Sequence, residues 1–130
     1  MPDCVLLADR HHRFSEGVRG LLETAFCGVF LVADRASLME GASRLRPDLV
    51  VVDVSLAEGD LGDLLQSIRT RAPAAKILLL SVHDEGTVAD AAVSAGADGL
   101  VLKRAVATDL LPAVEALAGG QHYLSAGIPH

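Results

Sequence analysis

The run Leu49-Val50-Val51-Val52-Asp53, "LVVVD", decides the fold. Its four apolar residues show no alternation of apolar and polar, so both faces of such a strand have to be covered, as in a parallel sheet with helices on either side. Pro47 just ahead of it stops any preceding helix. The run then ends on a carboxylate. Four more stretches have the same character: "CVLLA" (Cys4–Ala8), "VFLVA" (29–33), "ILLLS" (77–81) and "GLVLK" (99–103). Between them lie segments such as "FSEGVRGLLETAF" (14–26) and "DEGTVADAAVSAGA" (84–97), whose apolar residues recur every three or four positions, as amphipathic helices require. Pro73 precedes the fourth run, Gly96 ends the fourth helix, and Gly119-Gly120 ends the fifth.

Five β-α units of this kind predict an α/β, doubly wound, five-stranded parallel sheet, because right-handed crossovers place helices on both faces. The length of 130 residues, half of them apolar, suits one domain with its own core. A net charge of -6 without any Lys/Arg-rich block argues against a surface that itself binds DNA. No apolar run approaches the roughly 18 residues of a membrane span, so the chain reads as cytoplasmic with no membrane partner. Cys4 and Cys27, far apart and without C-x-x-C spacing, read as small buried residues of a reducing compartment. Pro112 follows a cap-like Thr108-Asp109, so the last helix is expected to start no earlier than about Ala107.

In a doubly wound sheet, ligands bind where the strands end. Those ends carry Asp9, Asp53, Ser81 and Lys103, with Asp34 closing the second strand. Two carboxylates, a hydroxyl and an ammonium on one edge make a phosphoryl-handling set: a nucleophile, a metal ligand, a hydrogen-bond donor and a cation for the transferred oxygens. Any one of them alone is more often a turn former, a cap or a solvated charge.

The chain resembles the receiver domain of bacterial two-component response regulators, most closely the NarL/LuxR-type subfamily. The resemblance rests on "LLADRHH", "LRPDLVVVDVSL", "ILLLSVHDE", "AGADGLVLK" and the trailing "GGQHYLS". It implies strand order 2-1-3-4-5 in a flavodoxin-like receiver fold, with residues 1–124 forming the domain and 125–130 beginning a linker or tail. It further implies that Asp53 is the phosphoacceptor, Lys103 the phosphoryl-pairing cation and Ser81 the hydroxyl switch. Asp9, Asp53 and the backbone carbonyl of Ser55 would hold Mg²⁺. A sensor histidine kinase would be the phosphodonor, and the domain would regulate a DNA-binding domain following this chain, as a homodimer. It would be a regulatory module, catalysing at most its own phosphorylation and dephosphorylation.

This sequence departs from the family pattern at several of these positions. In the family the first strand ends in two consecutive acids, and here the second is Arg10. The formal charge facing a divalent ion falls, and Mg²⁺, which wants oxygen ligands, should bind less well. A planar guanidinium beside Asp9 and Asp53 is expected to sit in the pocket in the metal's place, with Glu58 or Asp60 as acids able to reach back. Leu100 replaces an aromatic switch residue, Val82 is bulkier than the usual neighbour of the hydroxyl, and Ala57 replaces a loop proline. The alternative reading is therefore a pseudo-receiver, a phosphorylation-independent interaction or dimerisation module. His11 and His12, with His83 nearby, read as solvated helix-start residues and not as a transition-metal site.

A flavodoxin-like flavin carrier would need a hydroxyl- and glycine-rich loop after its first strand, and a dinucleotide enzyme G-x-G-x-x-G. "ADRHHRF" is neither.

Overall fold

The structure, a computed structural model, describes residues 4–82 and 86–125. Its elements run β1 (Cys4–Ala8), α1 (His12–Leu22), β2 (Gly28–Val32), α2 (Arg35–Leu45), β3 (Leu49–Asp53), α3 (Leu61–Arg71), β4 (Lys76–Ser81), α4 (Gly86–Ser94), β5 (Gly99–Leu102), α5 (Val106–Ala118) and β6 (Tyr123–Leu124). Short 3₁₀ turns at Val54–Ala57 and Lys103–Ala105 follow β3 and β5.

The sheet is parallel throughout, in the order β2-β1-β3-β4-β5-β6. The five apolar runs are its first five strands, and the expected count of five is corrected by β6. That two-residue strand pairs Tyr123 with Gly99 and Leu124 with Leu100. Its sequence, "HYLS", lacks a long apolar run because it adds only an edge. The next residue, Ser125, stays tied to β5: its N–H donates to the Leu100 carbonyl at 3.0 Å and its hydroxyl accepts from the Leu102 N–H at 2.9 Å.

Strand geometry explains why the runs are uninterrupted. Successive side chains point to opposite faces, and each face meets helices. Leu6, Val50, Val52, Ile77 and Leu79 pack with Leu38 and Ala42 of α2, Leu64, Leu65 and Ile68 of α3 and Ala89 and Ala92 of α4. Their neighbours Val5, Leu7, Val51, Leu78 and Leu80 pack with Val18 and Leu22 of α1 and Leu110, Ala113 and Leu117 of α5. All of these side chains are buried, so the sheet is a two-faced core that fixes the height of every strand end.

Three expectations are corrected. Helix α1 stops at Leu22, short of Phe26, where the Thr24 hydroxyl and N–H both bond the Leu21 carbonyl and tighten the last turn. Cys27, in the loop beyond it, is exposed, and Cys4 is half-buried, both as free thiols. Helix α5 starts at Val106 and runs unbroken through Pro112. The 3₁₀ turn before it leads straight into the helix, so Pro112 falls in the second turn and costs the bond to the Thr108 carbonyl, while burial of Leu110, Ala113 and Leu117 holds the helix to the sheet.

No helix among the described residues is long and apolar enough to cross a membrane.

Candidate functional site

Asp9, Asp53, Ser81 and Lys103 lie together at the carboxyl edge of the sheet because β1, β3, β4 and β5 end in register there: Ala8 is beside Val52, Asp53 beside Leu80, and Ser81 beside Leu102. Asp34 stands apart. It caps α2, accepting from the Ser37 N–H at 2.7 Å, and that bond holds its carboxyl below the usual range.

Two turns of the same kind shape the pocket. Asp9 Oδ1 accepts from the His11 N–H at 2.9 Å, and Asp53 Oδ1 accepts from the Ser55 N–H at 3.1 Å. Both are Asx turns, in which a carboxylate bonds the backbone two residues on. Each brings the later side chain back over the acid. His11 Nδ1 comes to 3.0 Å from Asp9 Oδ1, and the Ser55 hydroxyl donates to Asp53 Oδ2 at 2.9 Å.

Lys103 closes the pocket from β5. Its Nζ lies 2.8 Å from Asp9 Oδ2, 3.0 Å from Asp53 Oδ2 and 3.1 Å from His11 Nδ1, and sits 4.6 Å from the centre of the Phe14 ring. Burial pushes the Asp53 carboxyl up, but the Ser55 N–H, the Lys103 ammonium and the Ser55 hydroxyl outweigh it and hold it below the usual carboxylate range. Asp53 is therefore an anion at neutral pH. A carboxylate has about four lone-pair directions, and Ser55 and Lys103 take three of them.

Arg10 is not in the metal's place. Its half-exposed guanidinium turns outward, 3.8 Å from Glu58, because successive side chains leaving a strand point opposite ways: Asp9 and His11 inward, Arg10 outward. The cation between the two carboxylates is Lys103. Asp60 does not reach back either, since it caps α3 by accepting from the Asp63 N–H at 3.0 Å.

His11 is an exposed residue at the start of α1, as expected, but the reading of it as taking no part in the site is corrected: its Nδ1 faces Asp9, Asp53 and Lys103. The signal was available, since a strand-end Asp two residues ahead of it favours the Asx turn that delivers the ring. The Ser55 hydroxyl was missed for the same reason. His12 stays exposed at the start of α1, and His83 lies outside the described residues.

Ser81 is buried at the end of β4, followed by the exposed Val82. Leu100 is buried beneath α4, and Ala57 is buried in the 3₁₀ turn after β3. The Ser55 carbonyl accepts a long bond, 3.4 Å, from the Glu58 N–H.

The donor set fits a small cation. Asp9, His11 and Asp53 each offer a ligand atom within 4.8 Å of the others. Asp9 Oδ2 is buried and has no aligned hydrogen-bond donor; the Lys103 ammonium at 2.8 Å is an ion pair off the line of a hydrogen bond.

Residues 5–115 match the family model "Response regulator receiver domain". The chain is 35% identical over 127 residues to the nitrate/nitrite response regulator protein NarP of Escherichia coli, covering 95% of this chain but 59% of NarP, so it spans less than two thirds of that relative. A LuxR-family two-component response regulator from Aurantimonas superposes with a TM-score of 0.86 at 29% identity, over 98% of this chain and 93% of that one. Salmonella RcsB, solved bound to a promoter in the presence of the phosphomimetic BeF3-, superposes at 0.81 with 25% identity, over 98% and 65% of the two chains. The chain belongs to the response regulator receiver domain family, with NarL/LuxR-type regulators among its relatives.

Proposed function

We propose that this domain receives a phosphoryl group on Asp53 from a sensor histidine kinase and passes the signal on as a change of surface. The observation that carries the reading is the Asp53 carboxylate itself: buried at a strand end, kept anionic, and bonded by both Lys103 and Ser55. In the transfer, an Asp53 oxygen attacks phosphorus in line as the bond from phosphorus to the donor imidazole nitrogen breaks. Lys103 can follow the charge onto the transferred oxygens without leaving the pocket, since its ammonium already bridges both acids. Asp9, Asp53 and the Ser55 carbonyl are the residues to hold Mg²⁺, which when bound would neutralise charge on those same oxygens. Ser81, at the end of β4, supplies the hydroxyl that would meet the new phosphoryl group and carry the exposed Val82 with it.

The relatives extend the reading. The chain spans 59% of NarP, so we place a linker after Ser125 and a DNA-binding domain beyond it, working as a homodimer in the cytoplasm. A second reading has a specific observation behind it: the Lys103 ammonium fills the cation position between the two carboxylates, so the pocket is partly neutralised before any ligand arrives. On that reading the domain is an interaction module that needs no phosphorylation.

Acetyl phosphate with Mg²⁺, followed by intact mass, separates the two. The receiver reading predicts one added phosphoryl group on the parent and none on Asp53→Asn; an unmodified parent favours the interaction module.

A further inference from the structure

We propose that His11 Nδ1 is a metal ligand, and that the pocket takes a borderline first-row divalent ion of the Mn²⁺ to Zn²⁺ series in preference to Mg²⁺. This rests on the reading of the pocket as a receiver site and names the ion for it.

Three side chains already converge on one cationic nitrogen. Lys103 Nζ lies 2.8, 3.0 and 3.1 Å from Asp9 Oδ2, Asp53 Oδ2 and His11 Nδ1. His11 Nδ1 stands 3.0 Å from Asp9 Oδ1, 3.1 Å from Lys103 Nζ and 3.5 Å from Asp53 Oδ2, so one ion in the place of the ammonium would meet a ligand atom of all three side chains. The buried Asp9 Oδ2 beside it has no aligned hydrogen-bond donor.

The ring is held for this purpose. The Asx turn bonds the His11 N–H to Asp9, and the buried Ser15 hydroxyl donates to the His11 carbonyl at 3.0 Å. Binding an ion asks the ammonium to yield its place, and the Phe14 ring 4.6 Å away stabilises a cation beside it.

The choice of ion follows from the donors. Mg²⁺ takes an oxygen octahedron and keeps its waters. A site of two carboxylates and an imidazole offers a nitrogen among its donors. Imidazole favours the later first-row ions.

Calorimetric titration of the whole chain with CoCl2 and with MgCl2 tests this, in the parent, in His11→Ala and in Asp53→Asn, with proton NMR of the Co²⁺ form. His11 is exposed enough for the alanine variant to fold. Co²⁺ should bind at least about tenfold tighter than Mg²⁺, and His11→Ala should cost Co²⁺ about tenfold or more while moving Mg²⁺ less than about twofold. A paramagnetically shifted, exchangeable imidazole N–H should appear with Co²⁺ and vanish in His11→Ala. A shifted N–H that survives the substitution, or equal effects on the two ions, overturns the assignment. If Mg²⁺ binding is nonetheless abolished in Asp53→Asn, the receiver reading of the pocket stands without it; if neither ion responds to Asp53→Asn, both fall.

Discussion

Lys103 holds its ammonium 3.0 Å from the carboxylate of Asp53, a residue fifty positions earlier in the chain. The contact is made possible by β3 and β5 ending on the same edge of the sheet with β4 between them. It also bridges to Asp9, so one cation keeps two buried acids from repelling each other.

Removing that cation should therefore destabilise the fold. Lys103→Met is expected to lower the free energy of unfolding by about 1–3 kcal/mol, since it leaves buried charges unpaired on one open side of the sheet. Adding Asp9→Asn should restore part of the loss. Urea unfolding of the two variants and the parent checks this, and a double variant no more stable than Lys103→Met contradicts it.

Arg10 turns away from the pocket, so its charge is mostly screened. An exposed ion pair such as Arg10–Glu58 contributes about 0–1 kcal/mol. Arg10→Ala is expected to change divalent-ion affinity by less than about fivefold, and Arg10→Asp, whose short side chain leaves the strand on the same outward side, acts only through screened charge and should stay within about fivefold as well. Calorimetry on the two variants checks this, and a gain of about tenfold or more in Arg10→Asp would contradict the outward direction of position 10.

Much of this was legible from residue order. The uninterrupted run at 49–53 pointed to a strand covered on both faces, and burial on every residue of β3 is that pattern realised. Asp9, Asp53, Ser81 and Lys103 could be gathered at one edge because a parallel sheet puts successive strand ends side by side. What was not legible depended on side-chain direction. Arg10 and His11 exchanged their expected places through one Asx turn. The edge strand β6 carries its information in the bonds that the Ser125 N–H and hydroxyl make to β5 and not in apolar residues.

β6 leaves its own signature. Tyr123 is the chain's single tyrosine, and burial together with the Asp109 carboxylate raises its pKa. A folded pKa above the unfolded one means that the stability it contributes is complete below about pH 10 and is lost as pH rises through the folded value. Absorbance titration should show a midpoint above that of free tyrosine, moving down in Asp109→Asn; an unperturbed midpoint would place Tyr123 away from the sheet.

Gly99 is where β5, α5 and β6 meet most closely. A Cβ there would come within 2.9 Å of Leu78 Cδ1, 3.1 Å of Leu117 Cδ1 and 3.2 Å of the Tyr123 carbonyl oxygen. Gly99→Ala is expected to cost about 1–3 kcal/mol in thermal or urea unfolding, because the backbone neighbour has nowhere to go. Gly20→Ala, with nothing within 4 Å, serves as the tolerant control.

The central claim is that the carboxylate of Asp53 is the atom group that receives phosphorus, and reductive trapping tests it at the level of one residue. The protein is treated with acetyl phosphate and a divalent ion, reduced with borohydride, digested and sequenced by mass spectrometry. An acyl phosphate on Asp53 is converted to homoserine at position 53, and that product is the predicted result. Homoserine at any other aspartate, or none anywhere under conditions where the ion binds the pocket, would contradict the account.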